Sequence, residues 1–483
     1  MRYYPSAKLD ELTKRIVDLM PNLERFFLSE DTISENSKKL YSYSPTETYL
    51  KRQKDFFHLI EEKIKRLFSH KELVGMRLPK IEDGLKGGVV DHCGILNHPV
   101  LIGVNIVPNF FRMFNRVVNG DILTFATGNV PLNDPFHRRG FMIGGRKVNL
   151  FPKADKNKVV YGLPKYDFSI VESLQKTHQW KFHPPEIQKF IQKIQALIES
   201  IDFSNCKYLG DQFTRINFYL WPLLFDKGIR EKVSNLISIE YDDVVIEYLL
   251  SVLNNDKESF IYRMLFESDF RKKMVSYFEG KIGAWDEENN RGTQFFWGLD
   301  NNNEHIRMKL VGEKLKGEGS DLTIDWNLDS ITDALRKRKI LPGMFLKFSL
   351  ILFYAGIKPF AGYGSANYLA ILQKDMIEFL KDDYPDEISN IKTLVVNNVT
   401  SVPILLRRGK NGKIENFFAL DIMLSGGLTE NYFKKINSVP LKFFMASNLN
   451  TLYDYGFNLY GKGEKENIVA TPEDYEALLS KII

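Results

Sequence analysis

Two short apolar runs separated by one long helical segment constrain the fold more than any other feature. GGVVDH (87–92) and DILTFATGN (121–129) have the composition of strands, and HPVLIGVNIVPNFFRMFNRVV (98–118) between them has the length and apolar content of a helix. Strands joined by such a crossover lie parallel in one sheet. The sequence therefore predicts an α/β fold with a mostly parallel, Rossmann-like core and these two strands side by side.

The rest of the chain predicts helical layers and further alternation of strands and helices. We expect an N-terminal helical region (1–80), a first part of the α/β core (81–165), a large helical insertion (166–290), a small mixed element of strands and helix (291–339), and a second part of the core with the C-terminal region (340–483). RRGFMIGG and RKVNLFP predict a hairpin across Gly144 and Gly145. Later, GYGSANYLAILQKDMIEFL predicts a helix, and TLVVNN, VPILLRR and KIENFFALDIML predict strands.

Composition excludes several classes of protein. With 44% hydrophobic residues, the chain is neither disordered nor fibrous. Its 66 Lys and Arg against 61 Asp and Glu leave a net charge of +5, too small to indicate specific nucleic-acid binding. Two cysteines are too few for a disulfide framework. Because no signal peptide is visible and the most apolar segment, Met344–Ile357, is too short to cross a bilayer, we expect a cytoplasmic protein with no membrane span and a buried helix or strand at 344–357.

The densest group of reactive residue types follows the first predicted strand. Ligands of open α/β sheets bind beyond the carboxyl ends of the strands. We assign catalytic roles to Asp91, His92 and Cys93, with His92 as acid or base, Asp91 as the group that orients it, and Cys93 as a possible nucleophile. Gly94, Asn97 and His98 are expected to contact substrate. A core position for Cys93 and a helix cap for His98 are the alternatives.

The second strand brings further polar groups to the same edge of the sheet. Thr127 and Asn129 follow it directly, and Arg138 and Arg139 come shortly after as candidate anion ligands. A charged turn in water is the alternative for the two arginines. We assign no metal ligands, because the spacing of Asp91, His92, His98 and His137 matches no paired-histidine motif.

Two more candidate anion sites lie in the last third of the chain. Gly362, Gly364, Ser365 and Asn367 form a Gly-x-Gly motif at the start of a helix, where backbone N–H groups can hold a phosphate or carboxylate, as in a nucleotide. Asn367 stands where a dinucleotide fingerprint has its third glycine, and close helix packing is the alternative use of these glycines. Arg407 and Arg408 end a predicted strand and suit capture of an anion, or form a solvated hairpin corner.

The placement of these segments resembles the cysteine-adding enzyme family of bacillithiol biosynthesis. VVDHCGILNHPVLIGVNI, ILTFATGNVPLND, FAGYGSANYLAILQ and VPILLRR occupy positions similar to those of the family's strand ends, with His92-Cys93 in place of its glutamine pair and Asn129 to Asp134 in place of its acidic and histidine cluster. The resemblance implies a nucleotide-binding α/β fold with added helices. It also implies a transferase or ligase-like enzyme of small molecules.

Two functions remain open from the sequence. The first is a group-transfer or ligase-like enzyme that acts on a polar or anionic, nucleotide-linked metabolite, with its crevice beside Asp91 and His92. The second is a non-enzymatic interaction or effector protein that keeps the nucleotide-binding scaffold. The 36 phenylalanines and 22 tyrosines fit both, because aromatic residues enrich cores and interfaces alike. Whether the strand-end residues share one site distinguishes the two.

Overall fold

A four-stranded parallel sheet lies at the centre of the computed structural model, which describes residues 3–115, 120–137, 139–409 and 414–480. The strands, in chain order, are β1 (Lys86–His92), β2 (Ile122–Thr127), β3 (Gly140–Ile143), β4 (Arg146–Asn149), β5 (Leu236–Glu240), β6 (Phe296–Leu299), β7 (His305–Val311), β8 (Lys314–Gly317), β9 (Thr323–Asp325), β10 (Ile340–Pro342), β11 (Lys358–Phe360), β12 (Leu406–Arg408) and β13 (Ile414–Asn416). The central sheet has the order β11-β1-β2-β5, and each neighbouring pair is parallel.

Helices surround this sheet and make up most of the remaining regular structure. They are α1 (Ala7–Leu19), α2 (Glu24–Phe27), α3 (Ile33–Tyr41), α4 (Glu47–Leu67), α5 (His70–Gly75), α6 (Pro99–Asn115), α7 (Ile170–Lys176), α8 (Pro185–Glu199), α9 (Leu209–Leu220), α10 (Lys227–Arg230), α11 (Asp242–Asn255), α12 (Phe260–Phe266), α13 (Ser268–Phe278), α14 (Leu328–Arg336), α15 (Met344–Phe348), α16 (Tyr363–Leu380), α17 (Pro385–Thr393), α18 (Ala419–Leu424), α19 (Glu430–Asn437), α20 (Leu441–Ala446), α21 (Leu449–Tyr460) and α22 (Pro472–Leu479). Within the described ranges, none of these helices combines the length and apolar character needed to cross a membrane.

The alternation of side chains along β2 explains why the sheet is covered on both faces. Ile122 and Ala126 belong to one hydrophobic core, whereas Leu123 and Phe125 belong to a second core on the opposite face. Successive side chains of a strand point to opposite faces, so a strand that is apolar at nearly every position must be buried on both. Helix α6 connects β1 to β2 and packs on β1. The sheet is thus enclosed, and its strand ends are the places where polar groups can meet.

The central strands confirm the main topological prediction. β1 and β2 are adjacent and parallel, with His92 opposite Thr127 in the register. β3 and β4 form the predicted antiparallel hairpin, in which Gly144 and Gly145 both adopt positive φ. A separate antiparallel sheet of order β10-β6-β7-β8-β9 corresponds to the predicted mixed element and its flanking strand.

Several predicted elements differ from the structure. The region expected to be a helical insertion contributes β5, which pairs with β2, because LISIE is a short fully buried strand embedded in helical sequence. The segment 344–357, which was predicted to be a buried helix or strand, is helical. It comprises α15 and a π-helix at Ser349–Tyr354.

The last third of the chain contains less strand than the sequence predicts. TLVVNN forms no regular strand within the described residues, and it precedes a single parallel bridge from Val399 to Ala361. VPILLRR pairs only from Leu406 onward, since Pro403 has no N–H for a strand ladder, and it joins an antiparallel hairpin with β13 rather than the central sheet. KIENFFALDIML is strand only at β13 and then becomes α18.

Candidate active site

A histidine and an aspartate meet at the carboxyl end of β1. The Nδ1 atom of His92 lies 2.7 Å from Oδ2 of Asp134. Asp134 is 5% exposed and His92 is 27% exposed, so the pair joins a buried carboxylate to an accessible ring. The second carboxylate oxygen of Asp134 accepts a bond from the Phe136 amide at 2.9 Å, and the Phe136 ring meets the imidazole edge-on. These contacts fix the orientation of the ring.

The geometry assigns the tautomer of His92. Because a carboxylate accepts hydrogen bonds, Nδ1 carries the proton that is shared with Asp134 in the neutral ring. Nε2 is then an acceptor, and it has no hydrogen-bond partner among the residues that the structure describes. The arrangement leaves a lone pair available at the accessible side of the imidazole.

Asp91 does not orient the imidazole, in contrast to the sequence prediction. Its Oδ1 atom accepts a bond from the His92 backbone N–H at 2.9 Å, and its Oδ2 atom lies 3.4 Å from Nδ2 of Asn105. Asn105 is in turn held by Thr124. Neighbouring residues of a strand send their side chains to opposite faces, which is why Asp91 is buried under the sheet edge while His92 faces Asp134. Asp91 therefore supports the backbone of His92.

The charges around these groups set their proton affinities. Burial disfavours the charged ring, but the hydrogen bond and negative charge of Asp134 outweigh this effect and raise the pKa of His92. Burial acts against ionised Asp134 too, and His92 reverses that effect, so the pKa of Asp134 is lowered. Burial raises the pKa of Asp91 to about 6. His92 is thus placed to exchange protons near neutral pH.

Cys93 lies in an apolar environment. It is buried beside a small cavity that is also lined by His137, Leu132 and Phe151. Burial raises the pKa of the Cys93 thiol well above its ordinary value, which disfavours the thiolate that a nucleophile needs. The ring of His137 packs against Gly94, where a Cβ would lie 2.4 Å from it, and Nε2 of His137 donates to the His92 carbonyl at 3.0 Å.

Asn97 and His98 hold the segment that follows β1. The Asn97 side chain accepts a bond from the Met142 amide at 2.9 Å and donates to the Phe136 carbonyl at 3.3 Å. Nδ1 of His98 accepts a bond from the Val100 amide at 3.3 Å, which matches the helix-cap alternative for this residue. Both side chains thus contribute to the shape of the loop, while substrate contact by them stays a prediction.

A lysine that the sequence analysis missed reaches the end of β2. Lys347 forms a buried ion pair with Asp242, and its ammonium group donates to Oγ1 of Thr127 at 2.8 Å. Oδ2 of Asp242 accepts bonds from Oγ1 of Thr127 at 3.0 Å and from the amides of Gly128 and Asn129 at 2.6 and 3.1 Å. Lys347 lies in an apolar run, and its partner Asp242 follows the unpredicted strand β5. A single lysine in an apolar helix was the only available signal.

This ion pair continues into a second buried network at the end of β5. Lys63 donates to Oε2 of Glu240 at 2.9 Å and lies 3.6 Å from Asp211 and 3.5 Å from Asp243. The other oxygen of Glu240 accepts a bond from the Asp242 amide at 2.9 Å. The buried charges beside β2 and β5 therefore have partners on the protein itself.

Asn129 connects the loop after β2 to the antiparallel sheet. Its Oδ1 atom lies 2.6 Å from Nε2 of His305, and its Nδ2 atom donates to the Pro342 carbonyl at 3.4 Å. Burial lowers the pKa of His305 to about 4, and its ring packs against Trp297 with a centroid separation of 4.8 Å. Asn129 thus holds His305 at the edge of the candidate site.

The predicted arginines lie in different places, and Arg139 is the one near His92, because it lines the same small cavity as Cys93 and Gly94. Arg138 lies outside the described residues. Arg139 adopts a positive φ and donates to the Phe151 carbonyl at 2.9 Å. Arg407 pairs with Glu415 and Asp421, and Arg408 pairs with Glu476; both arginines belong to β12, which forms a separate two-stranded sheet with β13. The hairpin-corner alternative describes the last two, and anion capture by them stays a prediction.

The Gly-x-Gly motif lies next to β1, at the same edge of the sheet. β11 pairs with β1 and leads into α16, whose N-cap is Gly362. A Cβ at Gly364 would lie 2.1 Å from the hydroxyl of Tyr455, so this glycine allows close packing of α21. Asn367 is fully buried, and the Ser365 hydroxyl accepts a bond from Tyr368 at 3.0 Å. Packing and ligand binding are both compatible with this geometry.

Comparison with known proteins gives no family assignment. No family model matches this chain, and no curated protein is significantly similar to it. Across the described residues, no three His, Cys, Asp or Glu side chains come together in a group that could hold a metal ion. We therefore infer the function from the geometry at the strand ends.

Proposed function

We propose that this protein is a small-molecule enzyme in which His92, oriented by Asp134, is a general base. The observation that carries the proposal is the 2.7 Å contact between Nδ1 of His92 and buried Asp134, with Nε2 left open at an accessible ring. A histidine that is oriented by a carboxylate can take a proton from a substrate nucleophile and return it to a leaving group.

We further propose that the sheet is a Rossmann-like core. Numbered by their order in the chain, the four strands of the sheet lie in the order 4-1-2-3, which is the reverse reading of the 3-2-1-4 arrangement in doubly wound nucleotide-binding folds. In such folds the ligand binds where the strand order reverses, between the first and fourth strands. These strands here are β1 and β11, and His92 ends the first of them.

The substrate class follows from the groups around His92. Thr127, opposite His92 in the register, lies partly exposed, whereas Lys347 beside it is buried and paired with Asp242. The partly exposed Thr127 hydroxyl and the His92 ring suit a polar or anionic metabolite, and a nucleotide-linked one fits the proposed Rossmann-like core. The resemblance to the cysteine-adding enzymes supports a group-transfer or ligase-like reaction, in which His92 deprotonates the attacking group.

A paired metabolite screen tests this proposal. The full-length protein is incubated with mixtures of amino acids, sugar phosphates and nucleotides, and new products are detected by mass spectrometry. We expect a product whose rate of formation falls about 100-fold or more in His92→Gln, while the exposed-histidine control His58→Gln retains wild-type turnover. A product formed equally by both variants would contradict the role of His92. No product from any mixture would favour the alternative, an interaction protein that keeps this scaffold.

A further inference from the structure

A second histidine, His305, lies at the same edge of the central sheet as His92. We propose that Nδ1 of His305 binds the ligand by accepting a hydrogen bond from a hydroxyl group of its sugar part. The inference adds a ligand contact to the crevice beside His92, and in that respect it rests on the proposed function. His305 begins β7, so it belongs to the antiparallel sheet rather than to the central one.

The contacts of Asn129 assign the tautomer of the His305 ring. Nδ2 of Asn129 donates to the Pro342 carbonyl at 3.4 Å, so its Oδ1 atom faces His305 and lies 2.6 Å from Nε2 of the ring. An amide oxygen only accepts hydrogen bonds, and Nε2 therefore carries the proton of the neutral ring. Nδ1 is left with a lone pair that can accept a bond from a ligand.

Nδ1 of His305 is open to a ligand. No described residue forms a hydrogen bond with this atom. The side chain is half-buried, and Nδ1 is not among the buried side-chain atoms that lack a partner, which places it at the accessible side of the ring. Burial lowers the pKa of His305 to about 4, so the ring is neutral and keeps its lone pair near neutral pH.

Shared contacts place His305 and His92 around one point of the sheet edge. The backbone N–H of Asn129 donates to Oγ1 of Thr127 at 3.2 Å, and Thr127 lies opposite His92 in the register of β1 and β2. The ammonium group of Lys347 donates to the same hydroxyl at 2.8 Å. Burial is the largest influence on the pKa of each ring, and the positive charge of Lys347 also acts on both pKa values. The two rings therefore border the same point.

The antiparallel sheet holds His305 in a fixed position beside the central sheet. The imidazole packs against the ring of Trp297 with a centroid separation of 4.8 Å. The turn before β7 is anchored too, because the Val159 amide donates to the Asn303 carbonyl at 2.7 Å. A side chain that is already ordered loses little freedom when it binds a ligand.

The free lone pair of His305 selects the chemistry of the ligand group. The oxygens of an ionised carboxylate or phosphate diester carry no proton and cannot donate to Nδ1. An ammonium group that leaves water needs an anionic partner, and the carboxylate of Asp242 at this point is already paired with Lys347. An uncharged hydroxyl meets both conditions. The nucleotide-linked metabolite proposed for this crevice carries such hydroxyls on its sugar, as does a sugar phosphate.

Calorimetric titration of the full-length protein with AMP and with 2′,3′-dideoxy-AMP tests the inference. We expect the wild type to bind AMP about fivefold or more tightly than the dideoxy analogue, because the analogue lacks the hydroxyls that donate to Nδ1. In His305→Gln the two nucleotides should bind alike, since the glutamine amide keeps a donor for Asn129 but has no acceptor in the place of Nδ1. His58→Gln, at an exposed position, is the matched control and should keep the wild-type preference.

A nitrogen NMR spectrum of the imidazole rings examines the same contact without a substitution. AMP should shift the Nδ1 resonance of His305 in the wild type, because a hydrogen bond then forms at its lone pair. The dideoxy analogue should leave that resonance in place. Equal shifts with both nucleotides would contradict a contact between Nδ1 and a sugar hydroxyl.

The outcomes separate this inference from the proposed function. Absence of AMP binding, equal affinity of the wild type for the two nucleotides, or a preference that survives in His305→Gln would each overturn the role of His305. Ribose 5-phosphate that competes with AMP more strongly than AMP competes with it would assign the hydroxyl to a sugar phosphate, and the reverse order to a nucleotide. If His305 shows the expected preference but the metabolite screen shows no dependence on His92, the proposed catalysis fails and the His305 contact stands.

Discussion

The charged groups at the ends of the neighbouring strands β1 and β2 differ in their exposure and in how completely they are paired. At β1, His92 is 27% exposed and keeps Nε2 open while Asp134 holds Nδ1. Next to β2, the side chains of Lys347 and Asp242 are 5% and 0% exposed, and Asp242 accepts bonds from a lysine, a hydroxyl and two amides. Buried charges that are fully paired stabilise a fold, whereas an oriented ring with an unused nitrogen is suited to chemistry. The comparison therefore separates a structural ion pair from a candidate catalytic pair.

The largest expected effect comes from breaking the ion pair next to β2. Lys347→Met should lower the free energy of unfolding by about 3–5 kcal/mol, because Asp242 would be left as an unpaired buried charge. Urea denaturation measures this change. The double variant Lys347→Met with Asp242→Asn should recover most of the loss, since no net charge remains buried. A loss below about 1 kcal/mol in the single variant would contradict the structural role of the ion pair.

A smaller effect on the free energy of unfolding is expected from the buried carboxylate of Asp91, which precedes His92 in the chain. Burial raises the folded-state pKa of Asp91 from 3.8 to about 6. Because the folded state favours protonated Asp91, this residue contributes stability that is fully present below about pH 4. The contribution is lost as the pH rises through 6. The stability of the wild type relative to Asp91→Asn should therefore fall by roughly 3 kcal/mol between pH 3 and pH 7. Unfolding curves at these two pH values measure the difference, and a pH-independent difference would show that Asp91 is not buried as described.

The smallest effect belongs to the surface hairpin. Arg408 pairs with Glu476 at 2.7 Å, and the two side chains are 40% and 47% exposed. Exposed ion pairs contribute little, so Arg408→Ala should change the free energy of unfolding by less than about 1 kcal/mol. Urea denaturation measures this change, and a loss well above about 1 kcal/mol would contradict the solvent-exposed position of the ion pair.

The sequence predicted the centre of the fold better than the contacts of the site. The periodicity and spacing of β1, α6 and β2 were sufficient to predict two adjacent parallel strands. The hairpin across Gly144 and Gly145 was equally visible, because those glycines permit its turn. The strand β5 was missed, since five buried residues flanked by helical patterns give a weak local signal.

The partners of the site residues depend on contacts distant in sequence. His92 was predicted as the reactive group, but its partner Asp134 is 42 residues away, and the adjacent Asp91 faces the other side of the strand. Lys347 and Asp242 come from an apolar helix and the start of α11, and only the folded sheet edge brings them together. Local sequence thus indicated where chemistry is expected, while tertiary packing decided which groups touch.

An NMR titration of the His92 ring in wild type and in Asp134→Asn tests directly whether Asp134 controls the proton affinity of His92. We expect the pKa of His92 to lie above 6.5 in the wild type, because the hydrogen bond and charge of Asp134 outweigh burial. It should fall in Asp134→Asn, where burial is no longer opposed. A pKa of His92 that is unchanged by Asp134→Asn would contradict the pairing on which the proposed function depends.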